Sequence, residues 1–441
     1  MKVNRLYALV LALSLAGFPF VASLATALDV ASAPISIAMR IAMLAIGMLI
    51  IFLAVIRKNT AFSRGWFWAV LLLFWAAYLL RMFYDTTFRA QWLSRQPDDY
   101  WVWAIGACLI PALALLAKVR HVAYQAAYRW SVVALFVAAS LVMVFGGTEV
   151  MPDWGDSYDI GRLHLESLNP ISAGHLGLSL LLLASWPIIS NAEKVSRTKW
   201  AIVLAAISLG AYLLIAAASR GPIATMFAVI CFYILSVNFK KTWKPMGFAG
   251  VLVALGYLLA VRFEEAGQFQ MLSRIEDAFG GEDVAVCGRQ VALTGAFQQF
   301  MSSPVFGSAL EEEISGFYPH NVVMESFMAT GLVGGLPFVG LLAFGFFAAY
   351  KLLKWRSENA WVALIFAQYA VAAQFSGAIY GSTTMWTFLA ATIALYLGTK
   401  RMMACTKSNL AQTGGFYDAG GPACSYQTAV YDQHITPRKC P

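Results

Sequence analysis

The chain has 441 residues, 60% apolar and only 12% charged, a composition that excludes an ordinary soluble enzyme and fits a helical membrane protein. Its net charge of +8 is not a nucleic-acid footprint, because the basic excess sorts by membrane side. Six cysteines are scattered over spans, outer loop and tail, so no disulfide framework is implied.

A spanning helix takes about 20 apolar residues, because every backbone polar group must be satisfied within the segment. Twelve spans are predicted, at roughly 6–28, 34–56, 65–84, 100–117, 130–147, 171–190, 200–218, 221–238, 246–262, 331–352, 359–378 and 380–399. The first has a basic start (Lys2, Arg5) and an Ala-Thr-Ala at 25–27, features shared with a cleaved signal peptide. Its apolar run is longer than the ~7 to 15 residues of a signal core, so it is read as a span.

With both termini inside, the cytoplasmic pieces hold 22 of the 31 basic residues and four of the 23 carboxylates. Every loop then obeys the positive-inside rule, which fixes the orientation. All 13 lysines fall on the inner side, and the nine outer basic residues are all arginine: Arg40, Arg81, Arg89, Arg95, Arg162, Arg220, Arg262, Arg274 and Arg289. A guanidinium binds phosphate oxygens in pairs, which an ammonium does less specifically. Arg40, Arg81, Arg89 and Arg95 read more simply as snorkelling side chains and loop composition.

Two connections are long, and both are external: 148–170 and 263–330. Long ordered loops held by rigid spans tend to carry function. Within the second, "QVALTGAFQQFMSSPVFG" has Val291, Leu293, Ala296, Phe297 and Phe300 at near-helical spacing and ends at Pro304 and Gly307. "PHNVVMESFMATG" predicts a further helix with Pro319 in its first turn and His320, Met324 and Phe327 on one side, near the outer membrane surface. Gly331, Gly334 and Gly335 allow close approach of the next span to a neighbour. Residues 1–405 form the polytopic membrane domain, and 406–441, rich in Gly, Tyr, Gln and Pro, form a cytoplasmic tail expected to be disordered. No P-loop or dinucleotide fingerprint follows a strand-like run and the inner loops are short, so energy must enter with the substrate.

The stretch His320, Asn321, nine residues, Gly331, two residues, Gly334 resembles the signature of bacterial O-antigen ligases. Three further pieces resemble the wider O-antigen ligase and polymerase superfamily: "AAASRGP" around Arg220, "CGRQVALTGAFQQFMSSPVFG" around Arg289, and "NPISAGHLGLSLLLL" entering the sixth span. Where that family commonly has an aromatic or Leu-Trp pair after the loop arginine, this chain reads "RQVALTG". The resemblance implies an all-α, GT-C-like membrane protein with a helical periplasmic loop between spans nine and ten, in the bacterial inner membrane. It implies a transferase that needs neither metal nor cofactor and moves a glycan from undecaprenyl pyrophosphate, on the periplasmic face, to an acceptor hydroxyl. For a ligase the acceptor is the lipid A core, and for a polymerase it is a growing polysaccharide; the partners are these substrates and membrane lipid, with no nucleic acid.

The residues fit that chemistry. Negative charge builds on the leaving phosphates, so fixed cations aimed there lower the barrier. Arg220 and Arg289 are the candidates, with Arg274, Arg262, Arg162 and Asn321 as substrate contacts. His320, with an ordinary pKa near 6.5, is the candidate base for the acceptor hydroxyl. The plain alternatives are a cap or packing role for His320 and an interfacial position for Arg220, where a charge costs little. Glu325 is expected to orient local groups. A transporter or flippase for lipid-linked sugars is the competing class, but the inner spans are nearly free of charge and no repeated halves are seen.

Overall fold

The computed structural model describes residues 2–56, 66–148, 162–190, 197–237, 261–262 and 284–413. Among these the protein is all-α, with isolated β-bridges and no strand. Helices α1 (Lys2–Ala12) and α2 (Phe18–Ala27) are joined by a π-helical turn, Leu13–Gly17. Then come α3 (Ser32–Ile56) and α4 (Trp66–Phe88); α5 (Pro97–Trp101) runs through a second π segment, Val102–Leu109, into α6 (Ile110–Leu115). After α7 (His121–Phe145) follow α8 (Pro170–Ser190), α9 (Arg197–Ala216), α10 (Arg220–Ser236), α11 (Val284–Ser302), α12 (Val322–Lys354), α13 (Trp361–Ser376) and α14 (Thr383–Thr413).

Among the described residues, seven stretches are long and apolar enough to cross a membrane: Val3–Ala27, Ser32–Ile56, Phe67–Phe88, Pro97–Leu115, His121–Phe145, Pro170–Ser190 and Val322–Lys354. The protein is therefore a multi-pass membrane protein. Three shorter apolar helices, Trp200–Ala216, Arg220–Ser236 and Trp361–Ser376, coincide with expected spans, as does the start of α14. The expected ninth span, 246–262, lies almost wholly outside the described residues.

The chain divides into two compact units, Met1–Ala394 and Leu395–Pro441. In the first, α8 is the central post: every residue from Ala173 to Trp186 is buried, as expected for a helix apolar all round. Gly177 of α8 and Gly210 of α9 set the closest crossing, because a Cβ on either would come within 2.6 to 2.7 Å of the other's carbonyl oxygen. Hydrogen bonds tie α8 to its neighbours where apolar packing alone leaves rotation free. The Gln368 amide of α13 donates to the His175 carbonyl (3.1 Å) and Ser179 Oγ donates to Gln368 Oε1 (3.2 Å). The Tyr128 hydroxyl of α7 donates to the Leu183 carbonyl (2.8 Å).

Helix α11 buries its small residues rather than its bulky apolar ones. Ala292, Gly295 and Ala296 are buried, whereas Val291, Leu293 and Phe297 are 41 to 51% exposed. A Cβ on Gly295 would run into the Glu312 side chain, so the small residues admit the chain that follows the helix, and the bulky ones face outward. That arrangement suits a helix lying at a lipid interface rather than one packed in a core.

Candidate active site

The site is built on the broken start of α12. Asn321 caps the helix, its Oδ1 accepting from the Met324 N–H at 2.9 Å, while its Nδ2 donates to the Gln374 carbonyl at the end of α13 (3.2 Å). The first turn therefore begins at Val322, later than the Pro319 expected from sequence. His320 lies outside the helix with φ of 56°, a left-handed conformation that costs a β-carbon residue energy and persists only where the surroundings impose it.

Nine residues on, α12 breaks at Gly331, whose φ is 58°. The turn at Pro304–Gly307 inserts there: the N–H groups of Leu332 and Val333, released by the break, donate to the carbonyls of Pro304 (2.8 Å) and Val305 (3.2 Å). A Cβ at 331 would run into the Val305 carbonyl group. Arg81 of α4 locks the same joint by donating to the carbonyls of Ala329 (3.0 Å), Ser308 (2.9 Å) and Gly307 (2.9 Å). Two of the four signature positions thus have a structural reason: Asn321 caps the helix, and Gly331 breaks it.

The joint sets His320 against three groups. Its ring lies 4.6 Å from that of Tyr318 and 5.6 Å from that of Phe317, centroid to centroid. Its Nδ1 is buried without a hydrogen-bond partner. Burial first, and then the Arg289 charge, lower its pKa from 6.5 to about 4, so the ring is neutral at pH 7 and free to take a proton. Tyr318 feels both Arg95 and Arg289; burial raises its pKa and both cations oppose that. Arg95 also lies beside the Tyr380 hydroxyl, close enough to feel it but short of a hydrogen bond. His320 and Arg289, expected to act together, therefore share one neighbourhood, and Arg95 and Tyr318 join them.

Buried carboxylates brace this ring of groups. Glu325, fully buried one turn into α12, accepts from the Tyr78 hydroxyl of α4 and from the Ile379 N–H (both 2.9 Å). Glu311 accepts from Ser94 N–H and Ser94 Oγ (both 2.7 Å) and from the Tyr100 hydroxyl, which holds the chain on either side of Arg95. Each carboxylate is occupied by donors from distant helices, as an orienting group requires.

Arg220 starts α10, half-buried, directly after the tight α9–α10 turn. The buried Arg162 runs alongside that turn: Leu163 N–H donates to the Ala216 carbonyl (2.8 Å) and Arg162 Nε to the Ala217 carbonyl (3.4 Å). His164 Nδ1 contacts the Arg162 carbonyl (2.8 Å), which fixes the strand-like segment. Pro222 seats on Gly174 of α8, and a Cβ on Gly221 would stand 3.9 Å from Cβ of Phe375. Phe375 follows Gln374, the residue held by Asn321, so the Arg162 and Arg220 hairpin and the His320 joint adjoin the same end of α13. Arg262 is exposed, at the edge of the described residues, and Arg274 lies outside them.

Arg95, Tyr318 and Tyr380 were missed by sequence reasoning. Arg95 carried a signal in being an arginine on a side without lysine, but nothing local separated it from Arg81 and Arg89. Arg81 is consumed by backbone carbonyls, and Arg89 by the Ser308 carbonyl and Glu313 (both 2.9 Å).

Residues 202–339 match the family model described as O-antigen ligase. That stretch includes Arg220, Arg289, His320, Asn321, Gly331 and Gly334, and it supports membership of the O-antigen ligase and polymerase superfamily. No curated protein and no solved structure matches the chain.

Proposed function

We propose that this chain, a multi-pass membrane protein whose residues 202–339 match the O-antigen ligase family, is a ligase-type glycosyltransferase. It moves a glycan from undecaprenyl pyrophosphate to an acceptor hydroxyl, taken to be on the lipid A core. The observation that carries this reading is the neutral imidazole of His320 within reach of the Arg289 charge, inside the matched stretch. In the proposed reaction His320 takes the acceptor's proton as the hydroxyl oxygen forms its bond to the anomeric carbon. The bond from that carbon to the pyrophosphate oxygen breaks, and the electron pair leaves on phosphate. Arg289 and Arg220 stabilise that charge, with Arg162 and Asn321 as supporting contacts and Arg262 and Arg274 as further candidates from the long loop. Guanidinium groups fixed in a poorly hydrated site are suited to this, since they need little reorganisation as charge develops.

In this reading the fold is GT-C-like with twelve spans in the inner membrane, the active site faces the periplasm and the termini are cytoplasmic. The membrane domain is 1–405, followed by a tail.

The test is a His320→Ala and an Arg289→Gln variant in the native host, with expression of each verified in the membrane. Loss of one general base or one fixed donor is expected to slow transfer by about 10² to 10⁴-fold. Loss of polysaccharide from the lipid A core, with full-length polymer left on the carrier, supports a ligase; shortening to single repeats favours a polymerase with the same donor. Normal polysaccharide made by stably expressed variants refutes both.

A further inference from the structure

A second polar locus lies deeper in the membrane region. A partly open cavity of ≈ 340 Å³ is lined by the π turn after α1, by α3, by the π segment Val102–Leu109, by the start of α8, by the end of α13 and by the start of α14. Tyr318 lines it, so one aromatic ring divides it from His320. Much of its wall is apolar, from Leu13, Phe18, Met39, Met43 and Met385.

Arg40 opens onto this cavity from α3, about two turns inside a 25-residue membrane helix. A cation at such a position is costly and is normally paired. Among the described residues Arg40 has no carboxylate within ion-pair distance and donates no hydrogen bond; Asp99 acts on it only at longer range. What holds it is the face of Trp103, 3.7 Å from the guanidinium carbon, with Phe18 at 5.9 Å. Contact with a ring face fixes the position of a guanidinium and uses none of its five N–H groups. An oriented fork with free donors, in a cavity, fits an oxyanion with two oxygens to offer.

A second residue points the same way. His175 of α8 is 8% exposed, lines the same cavity, and has a buried Nδ1 without a partner. That nitrogen is shut off from the cavity, so what the ring offers an occupant is its other edge, where a nitrogen can accept or donate. The occupant therefore has an anionic group, further hydrogen-bonding groups and an apolar part.

We propose that this cavity is a second anion subsite, separate from the one at Arg289, in which Arg40 on Trp103 binds a phosphate ester of the acceptor glycolipid while His175 bonds a neighbouring polar group. The assignment to the acceptor rests on the function proposed above; the anion subsite rests on Arg40 and His175. Seated here, the acceptor extends past Tyr318 and delivers its hydroxyl to His320.

The experiment is titration calorimetry of the full chain in detergent with two probes: monophosphoryl lipid A, a phosphate ester, and farnesyl pyrophosphate, a carrier-like diphosphate. Arg40→Gln is expected to weaken the first by about tenfold or more, the usual loss of a charge-assisted bond, and the second by less than about twofold. Removing the phosphate from the first probe should cost the wild type a similar factor and cost Arg40→Gln nothing. Trp103→Leu, which keeps the cation and removes its platform, serves as a second variant and should weaken the same probe by roughly threefold. Unchanged monophosphate affinity in both variants, or a loss confined to or equal for the pyrophosphate, overturns the proposal. Arg289→Gln is read in parallel: if it leaves pyrophosphate affinity intact, the donor-site reading fails while the Arg40 result stands by itself.

Discussion

Arg81 and Arg40 are alike in sequence, each the single arginine of an apolar helix, yet they stand in opposite states. Arg81 is saturated: its nitrogens donate to the carbonyls of Ala329, Ser308 and Gly307, and Asp85 lies 3.6 Å away. Arg40 rests on Trp103 with no hydrogen-bond acceptor among the described residues. The same contrast separates the joint at Pro304–Gly331, where freed N–H groups meet carbonyls, from Arg40 and from Nδ1 of His175 and of His320, which meet no hydrogen-bond partner among the described residues. Saturation marks groups that the fold uses up; unsatisfied buried donors and acceptors mark those kept for a ligand.

The largest test of the saturated side is Gly331→Ala. The substitution places a β-carbon at φ of 58° and against the Val305 carbonyl, so a loss of about 3 kcal/mol or more is expected, read as a fall in the melting midpoint in detergent. Arg81→Ala follows at about 2 to 4 kcal/mol, because the freed carbonyls and Asp85 remain in place. Asn321→Ala removes a helix cap and should cost about 1 kcal/mol, with additional loosening of the contact to Gln374. Arg40→Gln breaks no hydrogen bond and gives up only the contact with the Trp103 face, so it is expected to change stability by no more than about 1 kcal/mol; a fall comparable to that of Arg81→Ala would erase the distinction.

The unsatisfied side can also be read by pH. His320 titrates at about 4 because burial, and secondly Arg289, disfavour its protonated form. As a base it works when neutral, so the acid limb of kcat/KM should fall near pH 4. Arg289→Gln should move the limb upward in residual activity, by less than half the distance to 6.5, since burial is the larger cause. A limb that stays fixed in this variant, or that moves down, would show that Arg289 does not face the ring.

Much of the scaffold was legible because apolar length and basic loops report on the bilayer directly. Helix α8, for example, spans Pro170–Ser190 against an expected 171–190. The His320, Asn321, Gly331 and Gly334 pattern falls where α12 starts and breaks. Its conformation was not legible, because Pro319 signals a first helical turn and nothing local announces that His320 adopts a positive φ. The buried face of α11 was not legible for a related reason: apolar spacing identifies a helix but not whether lipid or protein receives its bulky side. Nor does any neighbouring residue tell Arg81, Arg95 and Arg40 apart, since their partners are remote in the chain.

The π segments Leu13–Gly17 and Val102–Leu109 both contribute wall to the cavity, through Leu13, Ser14 and Leu15 on one side and Trp103 and Ala107 on the other. A π turn holds one residue more than an α turn. Deleting that residue from the second segment would let an ordinary α turn close in its place, which keeps the helix beyond it in register but re-aims the side chains inside the segment. Trp103 stands among them, so the platform under Arg40 depends on chain length as well as on side-chain identity.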